Sequence, residues 1–458
     1  MFEKYIDLIE QHGVTAKVLG DLIQDHASLR GRMLANYERY KAEKDGQGVP
    51  IYQRKFEVES ANKINSKLAN DFFSEIIDTK VGYLFGNPVV FMLDKKTPDY
   101  NILNQRIERF NKVNNLADTN SEAGKFAAMC GYDGLLLYID KEGQERIIRV
   151  DPWETIILTR SEITEPTYGI RYFKTYDDQC KVEFYDDKQR RVFMGESWEK
   201  LVEDTRQTKL HMFDYCPLFG LPNNAELQGD ADKVLSLIDA YDRALSDGNS
   251  EIEQFRLAYM IFLGYVPDEE TVRKAKELGA LYIPEIENGE DIKFLTKQLD
   301  VQFLDSHLDR LEENITRFSK HVNFTNAFGG GTVTGPAMRY KLFMLETKAK
   351  TMERKHEAAM MYMFKVLASA WAKKGFQLDY TMLELKYTRN IPVNLLDEAD
   401  TAQKFLGVLS MRTILSNISV VPDVDEEMRR IEEERDSRID LDDKSLEDEE
   451  DQESHQEE

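Results

Sequence analysis

The spacing of hydrophobic and polar residues predicts that helices, and then short strands, form the N-terminal half of the chain. Apolar positions recur at helical intervals in some segments and form runs or strict alternation in others. Helices are predicted at residues 1–45, 62–84 and 101–130, and strands at 135–139, at 146–150 and in short pieces between 166 and 210. Residues 45–220 are therefore expected to form an α+β unit.

Two long helices with narrow apolar seams are predicted further along the chain. Apolar residues alternate between spacings of four and three in residues 224–263, if Gly248 fills one position, and again in residues 300–322. The seam residues are Ile238, Tyr241, Leu245, Leu308, Leu311 and Ile315. The other positions are mostly charged, which suits an intramolecular hairpin and suits at least as well a helix pair packed beside neighbours in a ring.

A small insert separates the two helices. Residues 264–299 contain a predicted short helix and then a β-hairpin, in which residues 281–286 pair with residues 291–295. The dipeptide Asn288-Gly289 between them favours the tight primed turn of a two-residue hairpin loop. A small α/β unit at the tip of a long helical hairpin is an unusual arrangement.

A glycine-rich loop and a very long helix follow. The loop covers residues 323–335, and the helix runs from Pro336 to about Lys374, a span of roughly 55–60 Å. Beyond it the pattern predicts a strand at 379–387, helices at 395–409 and 423–435, and an acidic tail at 441–458. The tail holds ten acidic residues and one lysine, which is typical of a solvated, disordered segment.

Composition restricts the class of protein. The formal net charge is −24, which argues against tight duplex binding, because such binding uses Lys and Arg to displace counterions from phosphates. No apolar run is long enough to span a membrane, and the first residues do not resemble a signal peptide. The three cysteines lie far apart without a CxxC pair, as expected of thiols in a reducing cytoplasm.

No motif points to catalysis, a cofactor or a metal. Gly329, Gly330, Gly331 and Gly335 invite comparison with a phosphate-binding loop, but Pro336 and Ala337 follow where such a loop needs Lys and Ser or Thr. The seven histidines form no HExxH or HxH pattern, and no nucleophile elbow is present. We therefore expect a protein that is not an enzyme.

Several segments resemble the phage portal proteins of siphophages of Gram-positive hosts, the SPP1-like portal family. The N-terminal segments carry the resemblance most clearly, and similar segments recur over nearly the whole chain. They are Ile64–Asn70, Ile77–Pro88, Gly131-Tyr132, Val150–Glu154, Pro217–Asn224, Ala337–Phe343, Tyr387–Pro392 and Glu426–Glu434. Thr334-Gly335 stands where the family has a Ser-Gly type of sequence, which is a mild departure.

The resemblance implies a mainly helical portal fold with an α+β wing, a helical-hairpin stem, a small α/β clip and a helical crown. The implied parts are N-terminal helices and wing 1–223, first stem helix 224–263, clip 264–299, second stem helix 300–322, tunnel loop 323–335, long kinked helix and wing strand 336–394, crown 395–440 and disordered tail 441–458.

The resemblance also implies contact residues in two of these parts. The tunnel loop would face DNA through Asn323, Phe324, Thr325, Asn326, Phe328, Gly329, Gly330, Gly331 and Thr332. The clip would contact the terminase and the adaptor through Tyr265, Pro267, Tyr282, Glu285, Asn288, Gly289 and Lys293.

The partners implied are other copies of the chain, twelve per ring in the virion, and double-stranded DNA that passes without sequence specificity. The terminase, the scaffold, the major capsid protein and a head-completion adaptor complete the set. The ring would lie at the portal vertex of the capsid after assembly in the host cytoplasm, and would serve packaging, retention and ejection of the genome. No cofactor and no membrane is expected.

Two other classes of protein fit parts of the pattern. A terminase or other motor enzyme would need the phosphate-binding lysine that is absent after Gly335. A bacterial or prophage-derived helical scaffold or adaptor without a DNA channel would leave the insert at 264–299 without a purpose.

Overall fold

A computed structural model gives the architecture of most of the chain. It describes residues 2–55, 64–160, 163–255, 259–263, 270, 273, 291–295, 301–323, 335–390, 395–418, 420, 421, 424 and 426–435. The chain divides into two compact units, one of residues 1–329 and 342–390 and the other of residues 330–341 and 391–458.

The described α-helices lie close to the predicted ones. They are α1 (Glu3–His12), α2 (Ala16–Tyr40), α3 (Phe72–Phe85), α4 (Tyr100–Val113), α5 (Leu116–Cys130), α6 (Leu235–Phe255), α7 (Val301–Ser319), α8 (Gly335–Lys373), α9 (Leu395–Phe405) and α10 (Met411–Leu415). Residues 426–435 are also helical.

The described strands form small antiparallel sheets. They are β1 (Val90–Leu93), β2 (Tyr132–Ile139), β3 (Glu145–Val150), β4 (Thr155–Leu158), β5 (Tyr168–Lys174), β6 (Cys180–Tyr185), β7 (Gln189–Gly195), β8 (Val202–Glu203), β9 (Lys209–Leu210), β10 (Leu218–Pro222), β11 (Tyr259–Leu263), β12 (Asp291–Leu295) and β13 (Leu383–Lys386). The expected mixture of helix and sheet is therefore confirmed.

The N-terminal helices pack on a sheet of their own. Strands β4, β5, β6, β7 and β8 follow one another in the sheet, and β9 pairs with the far end of β7. Apolar residues of α1 and α2, such as Ile6, Leu19 and Leu22, are fully buried against sheet residues such as Tyr172 and Val182. Alternate residues of two strands belong to this core, Ile170 and Tyr172 on β5 and Cys180, Val182 and Phe184 on β6, which matches the period of two that the sequence displays.

The main core surrounds α3, α5 and the long helix α8. A three-stranded sheet in the order β10, β2, β3 lies against it, and most of β2 is buried. Helix α3 is apolar on nearly all sides, which fits its central position between other helices. Trp371 near the end of α8 and Phe364, two turns earlier on the same face, are completely buried. Strands β1 and β13 pair beside this core.

Two predictions of local structure were wrong, and a third lies partly outside the described residues. Residues 64–70 are extended rather than helical, and the helix predicted at 62–84 begins only at Phe72. The first stem helix, expected over 224–263, covers Leu235–Phe255, and Tyr259–Leu263 is a strand. The strand at 291–295 pairs with this segment, whereas residues 281–290, its predicted partner and turn, lie outside the described residues.

The strand at Tyr259–Leu263 has a simple physical cause. Its sequence, Tyr-Met-Ile-Phe-Leu, is rich in aromatic and branched side chains, which favour strands when a partner strand is available. Helical spacing continued through this run, so periodicity alone gave no sign of the change.

Candidate functional site

The predicted seam residues meet between helices α6 and α7. Ile238, Leu311 and Ile315 are buried, with at most 8% of their surface exposed. Tyr241, Leu245 and Leu308 are half-buried along the same line. The two helices pack against each other over this seam, so the prediction of a helical pair is confirmed within residues 235–255 and 301–319.

Gly248 allows the two helices to approach closely. A Cβ atom at this position would lie 2.6 Å from a terminal methyl carbon of Leu304 on the facing helix. The sequence pattern has a gap in its apolar spacing at this residue, and Leu304 fills that space in the structure.

An extended segment, here called the strap (residues 64–70), runs antiparallel along α6. Its alternate backbone N–H groups donate to side chains on successive turns of the helix: Ser66 to Ser250 Oγ at 3.1 Å, Leu68 to Ser246 Oγ at 2.9 Å, and Asn70 to Asp242 Oδ1 at 2.9 Å. In a sheet, the backbone N–H groups of an extended segment donate to a neighbouring strand. In the strap they donate instead to one polar stripe of side chains on α6.

Asp242 is the charged acceptor of the stripe, and it is buried. Both the backbone N–H and the side-chain amide of Asn70 donate to its Oδ1 atom, each at 2.9 Å. Burial raises the pKa of Asp242, against these two hydrogen bonds, which favour the charged form. Arg39 and Arg54 form ion pairs with Asp239 and Asp247 on the same helix.

Replacing Ser246 with alanine should weaken the attachment of the strap. The hydroxyl accepts from Leu68 N and donates to Leu68 O at 3.3 Å, so the change leaves both backbone groups without this partner. We expect a loss of roughly 1–2 kcal/mol in the free energy of unfolding, measured by urea denaturation. Ser236→Ala, at an exposed position of the same helix, is the control, and an equal effect of both changes would contradict the role of the strap.

A buried ionic cluster connects α3 and the long helix α8 to the segment 223–230, which precedes α6. Lys80 Nζ on α3 lies 2.7 Å from Asp230 Oδ2 and donates to Asn223 Oδ1 at 2.5 Å. Asn223 in turn donates to Asp230 Oδ1, and Lys348 Nζ on α8 lies 3.4 Å from the same oxygen. Lys348 also donates to the backbone oxygen of Ser319 at the end of α7.

Burial and charge act in opposite directions in this cluster. Burial lowers the pKa of Lys80 and lowers that of Lys348 to about 8, although the carboxylate of Asp230 favours both cations. Burial also disfavours the charged form of Asp230, but the ammonium groups of Lys348 and Lys80 hold its pKa below the ordinary value. The single carboxylate of Asp230 therefore forms ion pairs with the ammonium groups of both Lys80 and Lys348.

The far end of α7 is also attached to the core. His321 Nε2 lies 3.1 Å from Glu75 Oε1 on α3, and Asn323 donates to Glu312 Oε1 at 2.8 Å. Asn323 is the one predicted tunnel-loop residue within the described part of the chain. Both ends of the helix pair that adjoin the core are thus held by polar contacts.

Segments that carry the family resemblance meet around α3. Asn87 donates to the backbone oxygens of Thr388 and Arg389, and the N–H of Asn390 donates to Tyr83 O at 3.0 Å. The segment 77–88 therefore contacts the segment 387–390, and through Lys80 it contacts Asn223 of the segment 217–224. These three segments therefore form one connected region.

A model of the family described as "Phage portal protein, SPP1 Gp6-like" matches residues 19–440 of the chain. The chain belongs to this family. The portal protein of Clostridium phage phiCD119 is 23% identical over 395 residues, which cover 79% of this chain and 83% of that protein. The portal protein of Bacillus phage SPP1 is 24% identical over 422 residues, which cover 84% of this chain and 80% of that protein.

The family confirms the function that the resemblance implied. The chain is a phage portal protein, the connector between head and tail, and an adaptor without a channel is not favoured. Portal proteins are structural proteins of the capsid vertex and form rings around DNA, and the match is to no enzymatic family.

Most of the predicted contact residues of the portal lie outside the described part. These are Phe324, Thr325, Asn326, Phe328, Gly329, Gly330, Gly331 and Thr332 of the loop and Tyr265, Pro267, Tyr282, Glu285, Asn288 and Gly289 of the clip. Lys293 is described, and it lies in β12 opposite Ile261 of β11.

Neither a metal cluster nor a membrane-spanning helix occurs in the portions of the chain that are described. No three His, Cys, Asp or Glu residues there are grouped to hold a metal ion. No described helix is long and apolar enough to cross a bilayer. Cys130, Cys180 and Cys216 are buried free thiols.

Sequence reasoning missed the polar residues that hold the pair of helices α6 and α7 in place. The signal for the strap was present, since Asp242, Ser246 and Ser250 recur every four residues and define a polar stripe on α6. Lys80 and Asp230 gave no comparable signal, because they lie far apart in the chain and meet only in the fold.

Proposed function

We propose that twelve copies of this chain form a ring in which α6 and α7 build the wall of a DNA channel at one vertex of the capsid. The observation that carries this proposal is the attachment of the helix pair, since the strap, the Lys80–Asp230 cluster and His321 fix it to the core. The helices of a channel wall must keep their position while DNA moves past them, and these contacts hold both helices to the core. The ring would admit the genome during packaging, retain it and release it at ejection.

The charge of the exposed stem surface supports passage without adhesion. On α6 the exposed acids Asp247 and Glu253 outnumber Arg243, and the whole chain carries a net charge of −24. Because duplex binding depends on cations that neutralise phosphates, this surface would let DNA slide. Sequence-specific readout is not part of the proposal.

The loop at 323–335 is the segment that we propose to touch the DNA. It follows α7 directly and contains no Lys or Arg, while Phe324 and Phe328 supply apolar bulk. Asparagine and threonine side chains contact phosphates through neutral hydrogen bonds, which are weaker than charge-assisted ones. Such a loop can contact the duplex without trapping it.

The insert at 264–299 is proposed as the clip that meets the terminase during packaging and the adaptor afterwards. Its support is the position of the insert between the two stem helices and the pairing of β11 with β12 beside it. The residues 395–440 would form the crown. The scaffold and the major capsid protein would contact the outer surface of the ring.

Negative-stain electron microscopy of the purified protein tests the ring. Class averages viewed along the particle axis should show about a dozen subunits around a central hole. The hole should be roughly 20 Å or more across, which is wide enough for a DNA duplex to pass. A uniform monomer or dimer at micromolar concentration, with and without the scaffold protein, would contradict the proposal.

Deleting Phe328 through Gly331 is expected to impair packaging or retention of DNA while rings still assemble. The deletion shortens the segment that we propose to touch DNA and leaves α7 and α8 intact. The measurement is nuclease-protected DNA in assembled particles, with ring formation followed by microscopy. Removal of four residues from the tail, 455–458, is the matched control, and loss of rings in the loop deletion would contradict the assignment.

A further inference from the structure

Helix α7 carries two flanks of opposite charge on either side of its buried seam. The basic flank consists of Phe303, His307, Arg310, Arg317 and Phe318. The acidic flank consists of Asp305, Asp309, Glu312 and Glu313. All of these residues are exposed apart from Glu312, which is half-buried.

The two flanks lie on either side of the seam. At 3.6 residues per turn, the centre of the basic flank lies about 90° and that of the acidic flank about 125° from the seam centred on Leu311 and Ile315, and the two centres are about 145° apart. They therefore point in nearly opposite directions across the surface of the subunit. In a closed ring, the two contacting faces of each subunit diverge in this way, by somewhat less than a straight angle.

The basic flank has the side chains that are typical of protein interfaces. Phe303 and Phe318 expose 70% and 54% of their surfaces. The ring of Phe303 lies parallel to that of His307, with centroids 6.2 Å apart, and the guanidinium of Arg317 lies 5.8 Å from the centre of the Phe318 ring. Aromatic residues and arginine are enriched where protein surfaces bind one another, and they supply much of the binding energy.

The acidic flank lies on the other side of the seam, and two of its residues are close enough to α6 to act on Tyr241. Burial raises the pKa of Tyr241 on that helix, and the charges of Glu312 and Asp309 raise it further. Arg310 reaches Glu313 at 2.9 Å within the helix, but this pair is exposed and screened by water. The acidic flank thus keeps a negative potential that a cationic surface of matching shape would neutralise.

The geometry points to a head-to-tail contact between copies of this chain, in which the basic flank of one α7 docks against the acidic flank of α7 in the next copy. The inference rests on the proposed ring and names the surfaces that close it. A two-fold dimer through either flank would place like charges together, whereas rotation about a ring axis brings opposite flanks together at every step. Each contact would also cover Phe303 and Phe318.

Charge reversal tests this contact on the full-length chain. One variant carries Arg310→Glu with Arg317→Glu, a second carries Asp305→Lys with Asp309→Lys, and a third carries all four changes. The first two place like charges in every contact and should each lower the fraction of rings by roughly tenfold or more. The third restores opposite charges in every contact and should recover rings.

A mixture gives a readout that a fold defect would not produce. Equal amounts of the first two variants should assemble together, because alternating subunits again bring opposite charges into contact. Mass photometry measures the rings, and circular dichroism checks the fold of each variant. The control, Arg206→Glu with Lys209→Glu, makes the same change of net charge as the first variant, at exposed positions of the wing, and should leave rings unchanged.

The possible failures are distinguishable. If the wild type stays monomeric under conditions that favour assembly, the proposed ring fails and this interface with it. If the wild type forms rings and the two single-flank variants form them equally well, the ring stands and the interface is overturned. Rings that are lost in the single-flank variants and recovered in neither the mixture nor the four-change variant would also overturn it.

Discussion

Replacing Asp230 with alanine is expected to lower the free energy of unfolding by about 3–5 kcal/mol. The change leaves the ammonium groups of Lys80 and Lys348 close together in the core without their shared carboxylate. Lys80 has only 1% of its side chain exposed, so water cannot replace the lost partner. Urea denaturation followed by circular dichroism, at one fixed protein concentration, measures the difference.

The pH dependence of this variant gives a second test. Because the pKa of Asp230 is lowered in the fold, its contribution is present at neutral pH and declines as the pH falls below the ordinary value of 3.8. The stability of wild type and variant should therefore converge in acid. Asp7→Ala, which removes a partner of Arg160 where both side chains are more than half exposed, should change stability little. A similar small effect of Asp230→Ala would show that the cluster does not stabilise the fold.

Gly131→Ala is expected to be at least as damaging, with a loss of about 3–5 kcal/mol. Gly131 ends α5 at φ +97°, and a Cβ atom there would lie 2.1 Å from the backbone oxygen of Leu227. The obstacle is backbone and cannot rotate away. The chain at this point links α5 to the segment that carries Asn223 and Asp230, since Asn223 N donates to Gly131 O and Asp230 N to Ala128 O.

The matched control for this substitution is Gly143→Ala. Gly143 also has a positive φ, +76°, but nothing lies within 4 Å of its added Cβ atom. It therefore isolates the conformational cost, about 1–2 kcal/mol, from the steric one. If thermal unfolding shows equal losses for both variants, the close approach to Leu227 is not what makes Gly131 necessary.

The sequence predicted those elements whose stability depends on local periodicity. Helices α6 and α7 were found because their apolar residues repeat at helical spacing, and β5–β7 were found from their alternation. The turn at the end of α3 was indicated by Gly86-Asn87-Pro88. The apolar seam between α6 and α7 was predicted from the same spacing. The interruption of that spacing was correctly assigned to Gly248, which faces Leu304.

The parts that the sequence did not predict depend on partners far along the chain. The strap continues the helical pattern of α3, with Leu68 in phase with Phe72, yet hydrogen bonds from α6 hold it extended. Lys80 lies on an apolar face of α3, where burying a cation is unfavourable unless it has an anionic partner. That partner is Asp230, which is far away in the sequence. The terminus of α6 was misplaced because Tyr259–Leu263 satisfies helical and strand patterns equally and β12 decides between them.

The strap also sets a limit on its own length. Two residues of extended chain rise about 6.6 Å, whereas four residues of helix rise about 6.0 Å, so the two scales drift apart by about 0.6 Å at each contact. Three contacts, at Ser66, Leu68 and Asn70, tolerate this drift within the range of hydrogen-bond lengths, and further steps would add to the misfit. Only a few consecutive contacts can therefore form between the two elements. Inserting one residue between the contacts, in either the strap or α6, would put the remaining donors and acceptors out of register.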